Sequence, residues 1–458
     1  MSTHSVPHDP RTLRLLEAPV GPTLLSLSGP NILVMMTQSV VSIMEVYFLA
    51  RLGTDVLAGV SEVFPLVALV AAISTGAVGG GMLSAIARAL GQGRRNDANE
   101  LVWYALAIAI ALGLATTAIV LVFGRDFYRA MGAHGPALAA ATLYSNFVFG
   151  GAILIWIFNA LLSVVRGTGN VRLPMQVVCG GAVILVPLSP MLIFGPGPMP
   201  GLGVAGGAVA LLIYYAGGSA VFLSYIWRHR GVLQPGPTPP RFQLLRAWDI
   251  LKVGGLSSLV SASTNLTIAI TTGFVGQNGP ASVAGYGAGA RLEFFLVPLA
   301  FGIGGPMAIM ISTNIGAGNR DRALRVAWIG LAIAAGSAEL IGLMAAIWPR
   351  VWIEAFTTDA SAVAAGVDYL RTVGPFFGFF GAGFALYCAA QGTGRMELPI
   401  VGALVRSLLV VGGCLIAASL GGIFLAVGAG MAAFGIIGLQ SLIFKVGFRS
   451  DPISKKAI

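Results

Sequence analysis

The chain has 458 residues, of which 56% are hydrophobic and only 10% are charged, and its mean hydropathy is +0.87. A soluble domain carries about 25% charged residues, so these values exclude a soluble globular protein. The formal net charge of +10 could suggest a nucleic-acid partner, but the basic residues cluster at the ends of apolar stretches, so we expect none.

Twelve apolar stretches are long enough to cross a bilayer, which takes about 20 residues each. In chain order they are 24–49, 55–80, 100–123, 138–162, 173–194, 203–227, 250–274, 283–311, 324–348, 364–389, 398–419 and 422–445. Most of the 27 Lys and Arg lie on the side of the termini. The positive-inside rule therefore predicts an integral protein of the plasma (inner) membrane with both termini cytoplasmic.

The second half of the chain repeats the first at a fixed offset of 225 residues. The repeated pairs are GQGRRNDA at 91–98 with GAGNRDRA at 316–323, RGTGNVRLPM at 166–175 with QGTGRMELPI at 391–400, and Tyr144 with Tyr369. Six spans per copy is an even number, so both copies enter the membrane in the same orientation. The sequence predicts an all-α polytopic protein, with two six-helix bundles related by a pseudo-two-fold axis along the membrane normal.

The repeat also predicts five segments along the chain. They are a cytoplasmic tail at 1–23, an N-lobe at 24–227, a cytoplasmic inter-lobe linker at 228–249, a C-lobe at 250–445 and a cytoplasmic tail at 446–458. The linker is rich in proline and basic residues, which is typical of a tether between two bodies.

Span one carries a polar stripe that ends in a carboxylate. Asn31, Met35, Gln38, Ser42 and Glu45 recur at spacings of three and four, which places them on one helix face. An ionisable residue is expensive in lipid, so we predict that Glu45 is an ion-coupling residue. Asn31, Gln38 and Ser42 would line the same cavity. The alternative is a carboxylate held by a neighbouring hydroxyl as a structural bond.

A second acid, Glu62, lies about two turns into span two, at a depth close to that of Glu45. Two carboxylates that share a dry site cannot both ionise easily, so such a pair would carry a proton. We therefore predict Glu62 as a second coupling residue. The alternative is that it faces water at the outer side.

Span seven has the same polar face as span one but no acid, and Thr264 and Asn265 are its predicted cavity residues. Ion coupling is therefore expected to belong to the first lobe. In span eight an intramembrane arginine needs a nearby acid, so Arg291 and Glu293 are predicted to form a structural ion pair. We take Arg291 as the single arginine away from helix ends. Glu339 has no explanation from sequence.

No metal site and no cofactor are expected. The four histidines lie outside the predicted spans, and the three cysteines show no metal-ligand spacing. An intramembrane enzyme is disfavoured because no catalytic dyad is present. A channel is disfavoured because a duplicated bundle with one asymmetric acid offers no ring of ligands.

Several segments, in this order, resemble the multidrug and toxic compound extrusion (MATE) family. They are EVYFLARLG at 45–53, RGTGNVRLPM at 166–175, LSPMLIFG at 188–195, PGLGVAGGAVA at 200–210 and YGAGARLE at 286–293. The resemblance implies two bundles around a central cavity. It also implies export of organic, cationic or amphipathic compounds against a proton or sodium gradient, by a monomer surrounded by lipid.

The resemblance also places individual residues. Glu45 stands where the family has an Asp, Ser189 where many members have a second Asp, and Leu185 where they have Asn. The acid pattern is closer to DinF-like than to NorM-like members, and Ser189 is a predicted cavity residue.

One carboxylate with a few amides is a thin ligand set for a metal cation, so a proton is favoured over sodium as the coupling ion. The alternative function is a flippase for a lipid-linked saccharide of the same superfamily. It needs a basic cavity, and it is disfavoured because Arg291 lies beside Glu293.

Overall fold

A computed structural model describes residues 9–195, 200–228, 230–241 and 243–448. The outer parts of the two predicted tails, 1–8 and 449–458, lie outside the described residues. The helices of the first half are α1 (Pro10–Glu17), α2 (Val20–Ala50), α3 (Thr54–Ala71), α4 (Gly79–Gly91), α5 (Arg95–Ala130), α6 (Gly135–Gly150), α7 (Ala152–Gly167), α8 (Arg172–Phe194) and α9 (Val204–Trp227).

The helices of the second half are α10 (Leu244–Gly276), α11 (Pro280–Ala290), α12 (Glu293–Gly316), α13 (Arg320–Ile347), α14 (Pro349–Ile353), α15 (Ala360–Val373), α16 (Phe377–Thr393), α17 (Glu397–Ile416) and α18 (Leu420–Ile443). A π-helical turn (Ala72–Val78) joins α3 to α4, and a 3-10 turn (Gly374–Phe376) joins α15 to α16. Each of these pairs forms one continuous helical stretch.

The described residues contain eleven helical stretches that are long and apolar enough to cross a membrane. The pair α6 and α7, bent by 49° at Gly151, passes the same test and forms a twelfth. The predicted all-α polytopic fold is therefore confirmed.

Contacts divide the chain into two compact units. Unit 1 contains the described residues up to Arg11 and Leu33–Leu251, and unit 2 contains Thr12–Ile32 and the described residues from Lys252 onward. The beginning of α2 thus packs within unit 2, whereas the sequence analysis assigned residues 24–32 to the N-lobe. Hydrophobic periodicity finds the span but carries no information about which neighbours each turn contacts.

Asn31 explains part of this packing in unit 2. Its side-chain amide donates to the carbonyl oxygens of Phe301 and Gly302, at 3.1 and 3.2 Å. Pro306 lies inside α12 four residues after Gly302, and a proline has no N–H for the carbonyl four residues earlier. Asn31 supplies that missing donor.

The linker is held against the start of α5 within unit 1. Arg95 donates to the carbonyl of Val232, and the backbone N–H of Gln234 donates to Asn99, at 2.6 and 2.7 Å. Arg246, in the first turn of α10, forms an ion pair of 2.6 Å with Glu100. These described linker residues are therefore anchored rather than freely tethered.

Glu339, unexplained by sequence, caps a helix inside the membrane. Its Oε2 accepts a hydrogen bond of 2.7 Å from the backbone N–H of Gly378, in the first turn of α16. The first N–H groups of a helix have no acceptor within it, and lipid offers none. A Cβ on Gly378 would lie 2.6 Å from this oxygen, so the glycine makes the bond possible.

We expect Glu339→Ala to lower the free energy of unfolding by about 1–3 kcal/mol, because a buried N–H loses its acceptor. Thermal unfolding in detergent measures this. Ser337→Ala on the same helix is the control, since its hydroxyl bonds to the carbonyl of Ala334 in its own helix. Equal melting temperatures for the two variants would contradict the capping role.

Candidate ion-coupling site

Glu45 lies on α2 in unit 1, where its side chain is buried. The residue is 8% exposed, and its Oε1 accepts a hydrogen bond of 2.5 Å from the hydroxyl of Tyr144 on α6. Tyr215 on α9 lies close enough to interact electrostatically with Glu45. A carboxylate in such surroundings needs a proton, a cation or further donors to offset its charge.

Glu45 lines a small cavity formed by α2, α8 and α9. The other lining residues are apolar except for one hydroxyl and are Val41, Met44, Phe48, Leu185, Val186, Ser189, Gly207 and Leu211. The Oγ of Ser189 is buried and has no hydrogen-bond partner among the described residues. The cavity leaves about 10 Å³ for the centre of a water molecule, which is room for about one water.

The rest of the span-one stripe is distributed differently from the prediction. Gln38 and Ser42 are half-buried on α2 in unit 1. Asn31 lies in unit 2 and bonds to α12. Glu62 is half-buried on α3, and the hydrogen bond that Glu45 receives comes from Tyr144. The Glu45–Glu62 pair stays a prediction.

The predicted cavity residues of α10 in unit 2 donate hydrogen bonds to backbone carbonyls of their own helix. Thr264 bonds to the carbonyl of Val260, and the exposed Asn265 bonds to that of Ser261, each at 2.9 Å. A linked hydroxyl cluster lies elsewhere on α10. The Ser407 hydroxyl is 2.6 Å from that of Ser263 and 2.8 Å from that of Thr267. Sequence reasoning missed this cluster, because its member Ser407 comes from α17.

The predicted ion pair in span eight is wrong. Arg291 is exposed and lies over the ring of Phe356, 5.0 Å from its centroid. Glu293 accepts a hydrogen bond from the hydroxyl of Tyr369. No ion pair within 4.0 Å joins Arg291 to Glu293 in the described part of the chain. Side chains two residues apart do not face each other on a helix, and α11 ends just before Arg291 while α12 begins at Glu293.

The repeated tyrosines therefore each hold a carboxylate. Tyr144 holds Glu45 and Tyr369 holds Glu293, but Glu45 lies on α2 and Glu293 on α12. These helices are not repeat equivalents, so the sequence offset that matches the tyrosines does not match their acids. Span seven itself carries no acid, so the expectation that ion coupling belongs to the first lobe stays a prediction, with Glu293 as a second buried acid outside that span.

Sequence analysis also overlooked an arginine deep in a span. Arg406 lies near the middle of α17, a candidate membrane span, and is only 4% exposed. Arg291 is therefore not the single intramembrane arginine away from helix ends. The signal was present in the sequence, because Arg406 interrupts the apolar run 398–419 far from either end.

A family model described as MatE matches residues 30–191 and 257–416 of the chain. A FAD transporter of Shewanella oneidensis is 28% identical over 350 residues, covering 75% of this chain and 76% of the relative. The probable multidrug resistance protein NorM of Thermotoga maritima is 24% identical, with 82% and 80% covered. The multidrug export protein MepA of Staphylococcus aureus is 23% identical, with 86% of each chain covered.

Solved structures share this architecture. Crystal structures of a MATE protein in a bent and in a straight conformation match with TM-scores of 0.88 and 0.84, each at 22% identity over 96% of this chain and 98% of theirs. The two stretches that the family model matches also fall in the two sequence repeats. Fold and repeat thus agree with the predicted resemblance.

Proposed function

Because the chain belongs to the MATE family and is a secondary active transporter rather than an enzyme, we propose that it exports organic compounds by alternating access in exchange for protons. Multidrug export is the activity named for several relatives. The observation that carries the proposal is the buried carboxylate of Glu45, which shares a small cavity with the hydroxyl of Ser189.

The ligand set favours a proton over sodium. Around Glu45 the cavity offers one carboxylate and one serine hydroxyl, and its other lining side chains are apolar. A bound metal cation needs several converging oxygens, whereas a proton needs one basic oxygen and an acceptor nearby. A protonated Glu45 is itself a donor, and the Ser189 oxygen is an acceptor on the same cavity.

Protonation can change how α2 packs in unit 1. The neutral acid no longer needs an offsetting charge, so the cavity around it can close on apolar side chains. With room for about one water, this cavity is too small for an organic molecule, so it suits the coupling ion rather than the substrate.

We place the protein in the plasma (inner) membrane as a monomer, with both termini cytoplasmic and lipid around its spans. The excess of Lys and Arg on the terminal side supports this orientation. The substrate is an organic amphipathic compound. The names of the relatives leave its charge open, since one is a FAD transporter and others are multidrug exporters.

The test uses wild-type protein in proteoliposomes loaded with a fluorescent organic cation. A pH gradient and a sodium gradient are imposed separately, and efflux is followed by fluorescence. We expect the pH gradient to drive efflux. The sodium gradient at equal pH should leave efflux at the level of dye-loaded vesicles without protein. Efflux driven equally well by sodium would contradict proton coupling, and a response to neither gradient would contradict gradient-driven export of this cation.

A further inference from the structure

Arg406 in unit 2 is a buried cation whose donors are not all used. It is 4% exposed, and its Nε and Nη1 are buried without a hydrogen-bond partner among the described residues. A guanidinium stays charged in proteins. Unpaired donors on a buried charge are costly, so a partner outside this set of residues would be favourable.

Aromatic rings form the walls around this guanidinium. Its central carbon lies 5.2 Å from the ring centroid of Phe380 and 6.0 Å from that of Phe434. Phe384 packs against both rings, with centroid distances of 4.8 and 5.9 Å. The faces of such rings offset part of the charge but supply no hydrogen-bond acceptor for the guanidinium N–H groups.

Three ionisable groups surround Arg406 from the neighbouring helices. Glu293 at the start of α12, Tyr369 on α15 and Tyr286 on α11 lie within electrostatic range. Glu293 is the acid among them, and it accepts from Tyr369. No ion pair within 4.0 Å involves Arg406 in the described residues. The arginine therefore has a nearby acid but no direct salt bridge.

We propose that Arg406 binds the anionic oxygens, phosphate or carboxylate, of a substrate within unit 2. The inference rests on the proposed export function, for which it specifies the substrate class. The planar guanidinium fork matches a phosphate or carboxylate with two parallel hydrogen bonds. The rings of Phe380, Phe384 and Phe434 are each at most 6% exposed, so they enclose the guanidinium and exclude water from an anion that it binds.

When it is ionised, Glu293 repels an anion bound at Arg406. An anion at Arg406 meets the negative charge of Glu293 whenever that acid is ionised, and it is released more easily then. When Glu293 is protonated, the repulsion is gone and the anion is held more tightly. The site is thus able to link substrate anion binding to protons through a second acid, independently of Glu45.

Binding to the purified full-length chain in detergent tests this without any transport step. The probe is flavin mononucleotide, and its matched control is riboflavin, which has the same ring but no phosphate. Fluorescence titration gives the dissociation constant of each. We expect the phosphate to tighten binding by about 10- to 100-fold, the range for hydrogen bonds to a charged group.

Variants assign this difference to Arg406. Arg406→Gln should remove the preference for the phosphate and leave riboflavin binding unchanged. Glu293→Gln should tighten binding of flavin mononucleotide severalfold. Arg371→Gln, an exposed arginine on α15, is the control and should behave as wild type. If Arg406→Gln does not fold, Arg406→Lys keeps the charge without the fork and should lose most of the preference.

Several outcomes would overturn the proposal. They are equal binding of the two flavins, binding of neither, or a phosphate preference that survives the Arg406 substitution. A loss of binding in Glu293→Gln would make Arg406 and Glu293 a structural pair instead.

A further experiment adds phosphatidic acid. Competition with flavin mononucleotide would assign the site's anion to a lipid headgroup, and its absence would assign the anion to a soluble substrate. Failure of the dye efflux assay would leave these binding results unaffected, so the two proposals fail separately.

Discussion

Proteoliposomes that carry Glu45→Gln are expected to lose efflux driven by a pH gradient, down to the level of dye-loaded vesicles without protein. Glutamine keeps the size of the side chain, and its amide oxygen still accepts a hydrogen bond from Tyr144, but it cannot exchange a proton. The buried cavity around position 45 is therefore preserved while its charge is removed. Efflux of the fluorescent cation under an imposed pH gradient is the measurement.

Three further variants make this result specific. Tyr144→Phe removes the hydrogen bond to Glu45 and keeps the acid, so it should weaken efflux without abolishing it. Glu62→Gln tests the predicted pair, because a complete loss there would mean that both acids share the coupling. Glu293→Gln removes the acid held by the second tyrosine. Full gradient-driven efflux in Glu45→Gln would exclude Glu45 as the coupling residue and leave Glu62 and Glu293 as candidates.

Sequence patterns predicted the features that depend on local spacing. Apolar run length gave the spans, and the stripe at intervals of three and four placed Glu45 on a buried face. Ser189 was predicted as a cavity residue by resemblance, and it lines the same cavity as Glu45. These successes need only helix geometry or a known motif.

The failures depend on tertiary contacts between helices far apart in sequence. Arg291 and Glu293 are close in sequence, but each finds its partner elsewhere, in Phe356 and Tyr369. Asn31 fits the stripe of span one, but its side-chain amide donates to the carbonyl of Gly302 on α12, which Pro306 leaves without its usual helical donor. Spacing along one helix cannot identify such partners, because they are set by which helix packs against it.

Gly59 and Gly285 mark two places where helix packing tolerates no side chain. A Cβ on Gly59 would lie 2.3 Å from the carbonyl oxygen of Ala137, and one on Gly285 would lie 2.2 Å from that of Ala362. Ala137 and Ala362 are separated by the same 225 residues as the sequence repeats. In each half a glycine thus lets the backbone of a neighbouring helix approach closely, as small residues permit in membranes, although Gly59 and Gly285 are 226 residues apart and do not share the offset of their partners.

We expect Gly285→Ala to lower the free energy of unfolding by about 1–3 kcal/mol, because the added methyl group meets backbone atoms that cannot rotate away. Gly287→Ala on the same helix is the matched control. A Cβ there meets nothing within 4 Å, so the substitution should be neutral or stabilise by up to about 1 kcal/mol through helix propensity. Thermal unfolding in detergent measures both variants.

The first half of the chain allows the same test at a second, independent glycine. Gly59→Ala should destabilise the protein about as much as Gly285→Ala, since both added methyl groups would approach a carbonyl oxygen and a backbone nitrogen of the facing helix. Equal melting temperatures for Gly285→Ala and Gly287→Ala would contradict the close contact between α11 and α15. A loss at Gly285 without one at Gly59 would mean that the two copies keep the same turns in sequence but not the same helix packing.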